Sequence, residues 1–457
     1  MRSFRKIGTV LAVTVMVSSN VFADTSSLEQ RLNDLEQQVA VLKRQLENEK
    51  ETSTTKAKDT PIITANAKDG FSIKSADEGF KLKVRGLLQA DSRTFTNNKK
   101  DLSGTTDTFL VRRARPIFEG TVNKNFDFYL IPDFANTPNG SNQAILVDAY
   151  ADIKLTPSLK IRGGKFKAPL GLERLQSDAV ANFIETGLPS NLVPNRDYGF
   201  QVFGDLFGDS VNYAVGIFNG GADLASVDTA DTNNDKDVIG RVFVQPFKAT
   251  DYKLANGLGL GLGVSYGHTE GSTLPTYRSP GQASVYSYLS NVSADGAHTR
   301  YSPQLSYYNG SFGLLGEYVV SDQEATRRLA GQKVSNSFEN RAWQVSTNYV
   351  LTGELASYKG ITPRNNFDLE KGTWGAFEVV TRYGELKLDD ALFQESFADP
   401  NASISEERAW AAGLNCYLNK NIRLSLDFEH TEFKGGAKGS EDRIPESVVS
   451  SRIQLAY

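Results

Sequence analysis

The segment FLVRRARPIFEG, Phe109 to Gly120, places Arg112, Arg113 and Arg115 within four positions of an otherwise apolar run. A guanidinium group is a planar fork of N–H donors that matches carboxylate and phosphate oxygens. Three on one short segment are therefore suited to holding or passing an anion. A soluble core would not bury that much charge unpaired, and a water-exposed loop would not need Phe, Leu, Val and Ile around it. Other reactive residue types are sparse. Nucleophilic catalysis wants a base beside the nucleophile, yet the chain has only His268, His298 and His430, read as surface residues, and no Gly-x-Ser-x-Gly elbow. No paired His or Cys spacing suits a metal, and Cys416 is alone. GLGLGLG at Gly257–Gly263 alternates too strictly for a nucleotide loop and reads as a strand with a small-residue face. No enzyme activity and no cofactor are expected.

A fold with one wet and one apolar face would accommodate both kinds of residue, and the surrounding sequence has that pattern. From about Phe71 the polarity alternates with a period of two. Leu258, Leu260, Leu262, Val264 and Tyr266 interleave with Gly259, Gly261, Gly263 and Ser265. Ile422, Leu424, Leu426 and Phe428 interleave with Arg423, Ser425, Asp427 and Glu429. Such stretches are half-buried strands. Starts fall near Phe80, Phe109, Phe126, Ile145, Leu159, Gly199, Val211 and Val238. Further starts fall near Leu258, Arg300, Phe312, Arg341, Trp374, Arg408, Asn421 and Glu446. The total is about 16, and soft boundaries leave about 14 or 18 open.

Connections alternate between tight turns (Asn123–Asn125, Thr156–Ser158, Asn309–Ser311, Asn419–Lys420) and long segments at 168–198, 220–237 and 268–299. Short turns on one rim and long loops on the other are the pattern of a transmembrane antiparallel β-barrel. Two packed β-sandwich domains would leave that asymmetry unexplained. A chain only 39% hydrophobic that still carries 26 Phe, 18 Tyr and 39 Gly fits two-faced strands.

The N-terminus supplies the compartment. Arg2, Arg5 and Lys6, then the apolar Ile7–Val17, then Val21-Phe22-Ala23, read as a signal peptide over 1–23. Its loss takes the net charge from −4 to −7, which gives no support to a nucleic-acid partner. Residues 24–50 carry Leu28, Leu32, Leu35, Val39, Leu42 and Leu46 at steps of four and three, a coiled-coil seam that does not fix the number of strands. Residues 51–69 are polar and aperiodic and read as a linker, leaving 70–457 for the barrel.

In a barrel of this kind charges belong on the lumen side. Parity sends Arg113, Arg115 and Glu119 into the pore, and Leu110, Ala114 and Phe118 toward lipid or a neighbouring subunit. Arg112 falls on the outer parity, where it would sit at the membrane rim, at a subunit interface or beside a bulge that turns it inward. Basic constrictions favour anions. Alternatively, the arginines pair with lumen acids such as Asp148, Asp152 or Glu119 and only shape the field.

The pieces FLVRRAR, DAYADIKL, GGKFKAPLGLER, LPSNLVPNRDYG, TYRSPG, LTGELASYKG, WGAFEVVTRYGEL and GLNCYLNKNIRLSLDFEH, in that order from Arg85 to the terminal RIQLAY, resemble the phosphate-selective porin O/P family. The resemblance implies trimers of 16-stranded barrels in a Gram-negative outer membrane, each pore narrowed by an infolded loop, here 168–198. It assigns the family's paired arginines to Arg112 and Arg113, a lumen aspartate to Asp148, and the basic residue of the infolded loop to Arg174. Leu87 stands where phosphate-selective members carry arginine, with Arg85 two positions earlier on the same face. A later arginine-rich loop is reduced to Arg278. The function expected is passive diffusion of small anionic solutes, phosphate or pyrophosphate among them, with a general diffusion channel as the alternative.

Overall fold

The computed structural model describes residues 25–66, 70–96, 105–135, 144–227, 234–272, 274–329 and 331–457. The signal peptide and residues 67–69 of the expected linker lie outside these. The chain divides into two units, 1–60 and 61–457. In the first, helix α1 runs over Thr25–Asp59, beyond the expected end at 50. The stretch 51–59 lacks an apolar seam, but extending an existing helix gains a hydrogen bond per residue without a new nucleation cost.

In the second unit, β1 (Ile62–Asn66), inside the expected linker, forms a hairpin with β2 (Gly70–Lys74), at the start of the expected barrel, and its Ile62, Ile63 and Thr64 are β-branched. The barrel follows as β3 (Lys81–Phe95), β4 (Thr108–Val122), β5 (Phe126–Asp133), β6 (Ile145–Thr156), β7 (Leu159–Lys167), β8 (Arg196–Leu206), β9 (Val211–Phe218), β10 (Asp237–Val244) and β11 (Leu258–Ser272). A small hairpin, β12 (Thr276–Arg278) and β13 (Ser284–Ser287), interrupts it. The wall resumes with β14 (Val292–Asn309), β15 (Phe312–Leu329), β16 (Gln332–Val350), β17 (Ala376–Lys387), β18 (Ile404–Tyr417), β19 (Ile422–Gly435) and β20 (Glu446–Ala456). Each wall strand pairs antiparallel with the next, and β20 closes on β3 with Leu455 opposite Leu88. Sixteen strands therefore close the barrel, and the β1–β2 hairpin continues the β3 edge where β20 ends.

Along β19, Leu426 is 51% exposed while its neighbour Asp427 is 1% exposed. Apolar residues outside and charged residues inside invert a soluble core and match a hydrocarbon surround. Trp343, Tyr383 and Trp410 lie on the outer face of adjoining strands, Tyr383 opposite Trp410 in register, as in an interfacial aromatic girdle. No helix among the described residues is long and apolar enough to cross a membrane; the strands do the crossing.

The turn-bearing rim carries two longer connections, 245–257 and 351–375, and the second folds inward. Its Tyr358 hydroxyl donates to Leu172 O at 2.6 Å, and Gln176 donates to Tyr358 O at 2.9 Å. From the opposite rim the 168–195 loop enters the lumen, with a helical turn α2 (Leu172–Leu175) and a 3₁₀ turn at Leu188–Leu192. Ala168, Leu170 and Leu192 are fully buried there.

Candidate functional site

The loop's course is set by side chains of the wall that bond to its backbone. On β15, Glu317 accepts from the Leu172 and Glu173 amides at 2.6 and 3.1 Å, capping the first turn of α2. Gln304 of β14 donates to Leu170 O. Across the lumen, Gln89 donates to Asp178 O, Gln454 to Ala179 O, Arg423 to Ala181 O and Asn415 to Asn182 O, all between 2.8 and 3.0 Å. The Ile184 amide then donates to Asp427 at 2.7 Å. The loop thus circles the lumen and is held by polar groups from both halves of the wall.

It seats because the wall leaves room. On the lumen face of β11, a Cβ at Gly263 would come within 2.6 Å of Leu170 O. The expected small-residue face of GLGLGLG is where the loop rests. Opposite, Leu87, Ile117, Ile131 and Val147 form an apolar patch against which Ala179 packs.

This places the arginines. Gln89 pairs with Arg113 and Ala90 with Val111, so Arg112 is the extra residue of a β-bulge. The bulge turns Arg112 inward beside Arg113. It also reverses parity above that point, so Leu110 shares the lumen face of its partner Asp91, not the lipid face expected. Phe109, 91% exposed, points outward.

Arg112 Nε lies 3.0 Å from Glu185 of the loop, and Arg93 lies 3.3 Å from the same carboxylate. Arg113 donates to Gln89 at 2.7 Å and lies 3.2 Å from Asp178. Arg115 bridges Asp133 at 2.6 Å and Asp178 at 2.5 Å. Arg174, on α2, donates to Ser190 O at 2.8 Å, and its Nε is buried without a hydrogen-bond partner. Asp148 faces Arg196 at 3.2 Å, and Arg85 is tied to Glu119 at 2.7 Å nearer the turn rim.

Two cavities result. The one toward the turns has a volume of about 1030 Å³ and is lined by Arg85, Asp148 and Arg162 among others. The one toward the long loops has a volume of about 230 Å³ and is lined by Arg112, Arg113, Arg174 and Arg452 among others. They share Arg115, Asp178 and Arg196, which therefore form the neck. All six expected residues line one cavity or the other, with Arg112, Arg113, Arg115 and Arg174 together around the smaller one.

Sequence reasoning missed Lys165, Lys167, Arg196, Arg452, Asp178 and Glu185. Arg452 was available from the alternation of SSRIQLAY, but KFK does not alternate: Phe166, 1% exposed, lies inside between the two lysines, so period two does not mark Lys165. Asp178 and Glu185 sit in an aperiodic loop and gave no signal. Burial works to raise both acids, but the surrounding cations prevail. Arg113, Lys167, Arg115 and Arg196 hold Asp178 well below the ordinary carboxylate range. Arg112, Arg93 and Arg452 hold Glu185 down to about 2.

The histidines give no relay for nucleophilic catalysis. His298 is 2% exposed, not a surface residue, because it packs inside with Ser321 at 2.9 Å and Asp223 at 3.5 Å. Both contacts are to the same ring nitrogen, Nε2, so the ring does not connect acid to hydroxyl. His268 is exposed and sits 3.1 Å from Asp235. His430 lies 2.7 Å from the Ser447 hydroxyl through Nδ1, but the carboxylate facing its Nε2, Glu432, is 3.9 Å away, beyond hydrogen-bond reach, so it completes no acid–histidine–hydroxyl relay.

Comparison with known proteins agrees with this architecture. Porin O of Pseudomonas aeruginosa is 23% identical over 402 residues, which cover 82% of this chain and 88% of that protein. Among solved structures, the outer-membrane channel DcaP of Acinetobacter baumannii matches with a TM-score of 0.53 at 11% identity, covering 84% of this chain and 99% of that one. The anion-selective porin of Comamonas acidovorans matches with a TM-score of 0.50 at 12% identity, covering 83% of this chain and 100% of that one. The family described as phosphate-selective porin O and P matches residues 80–457, nearly the whole second unit. The chain, with its arginine-lined, loop-narrowed barrel, belongs to that family of Gram-negative outer-membrane porins, which are channels and not enzymes.

Proposed function

We propose that the chain is a passive, homotrimeric outer-membrane channel that prefers small anions, phosphate and pyrophosphate among them. One observation carries this reading: the smaller cavity is lined by seven cationic side chains against three carboxylates. Arg113, Arg115 and Arg174 replace part of a passing anion's hydration, holding it firmly enough to enter and weakly enough to leave. Arg112 and Arg85 attract from either side, and Asp148 orients Arg196. Residues 1–23 direct export, and the seam of α1 joins three copies.

Ion selectivity in planar bilayers tests the reading. The reversal potential in a KCl gradient should show anion preference, and inorganic phosphate should inhibit the chloride current. The double variant Arg113→Ala/Arg115→Ala should lose most of both. Cation preference in the parent channel, with no effect of phosphate, would sink it.

A second reading, a general diffusion channel, is favoured by the pairing of Arg85, Arg112 and Arg115 with acids. It is favoured also by Leu87, which lies in an apolar patch where an arginine ladder would continue. Under that reading the double variant keeps the parent's selectivity.

A further inference from the structure

Asp178 is the one acidic residue shared by both cavities, and it stands at their neck. Its carboxylate lies 2.5 Å from Arg115, 3.2 Å from Arg113, and 3.7 Å from both Lys167 and Arg196. Four cations from β4, β7 and β8 converge on it, which is the donor arrangement an incoming oxyanion would use. The loop presents it firmly: Gln89 holds the Asp178 carbonyl at 3.0 Å, Gln454 holds that of Ala179 at 2.8 Å, and the Ala179 side chain packs on the Leu87–Ile117 patch. Of the other acids touching these cations, Asp133 belongs to Arg115 and Asp148 to Arg196, both from the wall. Asp178 alone comes from the loop.

We propose that Asp178 is a tethered counter-anion: it occupies the anion site of the neck, and a permeating anion must compete with it for Arg113, Arg115, Lys167 and Arg196. This deepens the anion-channel reading and rests on it. Held in place by the loop, the carboxylate competes as an intramolecular partner and not as one drawn from solution. It therefore weakens the apparent affinity of the site for free anions and keeps the pore conducting where an unoccupied cage would trap its solute. With Asp133 and Asp148 counted, the four cations face three carboxylates, an excess of one positive charge, and neutralising Asp178 raises it to two.

The test uses the full chain in planar bilayers, with inorganic phosphate as the probe of the chloride current. Asp178→Asn keeps the size of the side chain and removes its charge, and Asp178→Ser removes charge and length. Both should be inhibited at phosphate concentrations on the order of tenfold lower than the parent, with reversal potentials shifted toward anions. Asp178→Glu should behave as the parent. Parent-like inhibition in both neutral variants, while Arg113→Ala/Arg115→Ala loses anion preference, overturns the role of Asp178 and leaves the anion channel standing. A parent channel that is cation-preferring and blind to phosphate overturns both. Failure of both neutral variants to form channels makes Asp178 a structural pin and also overturns the proposal.

Discussion

At Arg112 a single inserted residue decides which medium a guanidinium meets. Strict alternation sends it to lipid, where a charge near the midplane costs about 2–4 kcal/mol; the bulge opposite Gln89 and Ala90 sends it to Glu185 instead. That pair has a defined pH window. The Glu185 carboxyl is depressed from an ordinary 4.5 to about 2, so its contribution is complete above 4.5 and is lost only as pH falls toward 2. Glu185→Gln should make the channel more anion-preferring by freeing Arg112 and Arg93. The difference in reversal potential between variant and parent should hold steady from about pH 7 to about pH 5, and close only in stronger acid. A difference that vanished already near neutrality would show that Glu185 is not held by its arginines. At this scale the sequence was legible where alternation applied, at Arg113, Arg115 and Asp148. It was ambiguous at Arg112, because a bulge leaves no mark in a pattern of period two. It was silent at Asp178 and Glu185, whose positions depend on where a loop lands.

The elements divide in the same way. All sixteen wall strands could be read because each presents one face to hydrocarbon and one to water. Their ends were least legible in β14 and β16, which begin eight or nine residues before the expected Arg300 and Arg341. The outer face of neighbouring β15 explains why. Leu314, Gly316, Tyr318 and Val320 give way to Asp322, Glu324, Thr326 and Arg328, so these strands rise beyond the hydrocarbon and lose the contrast between faces. The 351–375 segment shows no period and gave no sign that it turns inward. The fit between β11 and the infolded loop is the most exacting contact between elements. Gly263→Val would drive a side chain into Leu170 O, and overpacking of this kind costs about 1–3 kcal/mol. Folding of the barrel should survive, since the outer face is untouched. The loop should lift from the wall, raising single-channel conductance and lowering anion preference. Parent-like conductance in a folded Gly263→Val channel would mean that the loop is held by its polar anchors alone.

For the whole molecule, the question is what α1 adds to a barrel that is already closed. The helix is 35 residues long, about 50 Å at the usual rise, yet its apolar seam ends at Leu46. Leu32, Leu35, Val39, Leu42 and Leu46 are all more than half exposed, while the side chain of Leu28 lies outside the described residues. A seam of about three heptads is marginal by itself, so it should contribute to an assembly that the barrel walls also hold. Two expectations follow from that division of labour. Removing residues 25–59 should leave channels of unchanged selectivity, because the residues that line the two cavities belong to the second unit. It should also lower the temperature at which the oligomer dissociates in detergent electrophoresis. In a parallel homotrimer the seam residues of three copies meet at one level. A full chain carrying Leu42→Cys, with the native Cys416 replaced by Ser, should therefore form a disulfide between copies under mild oxidation. A cysteine at Glu36, off the seam, should not. Equal cross-linking at both positions, or none at Leu42, would assign the seam to a different protein partner and leave the barrel walls to hold the proposed trimer.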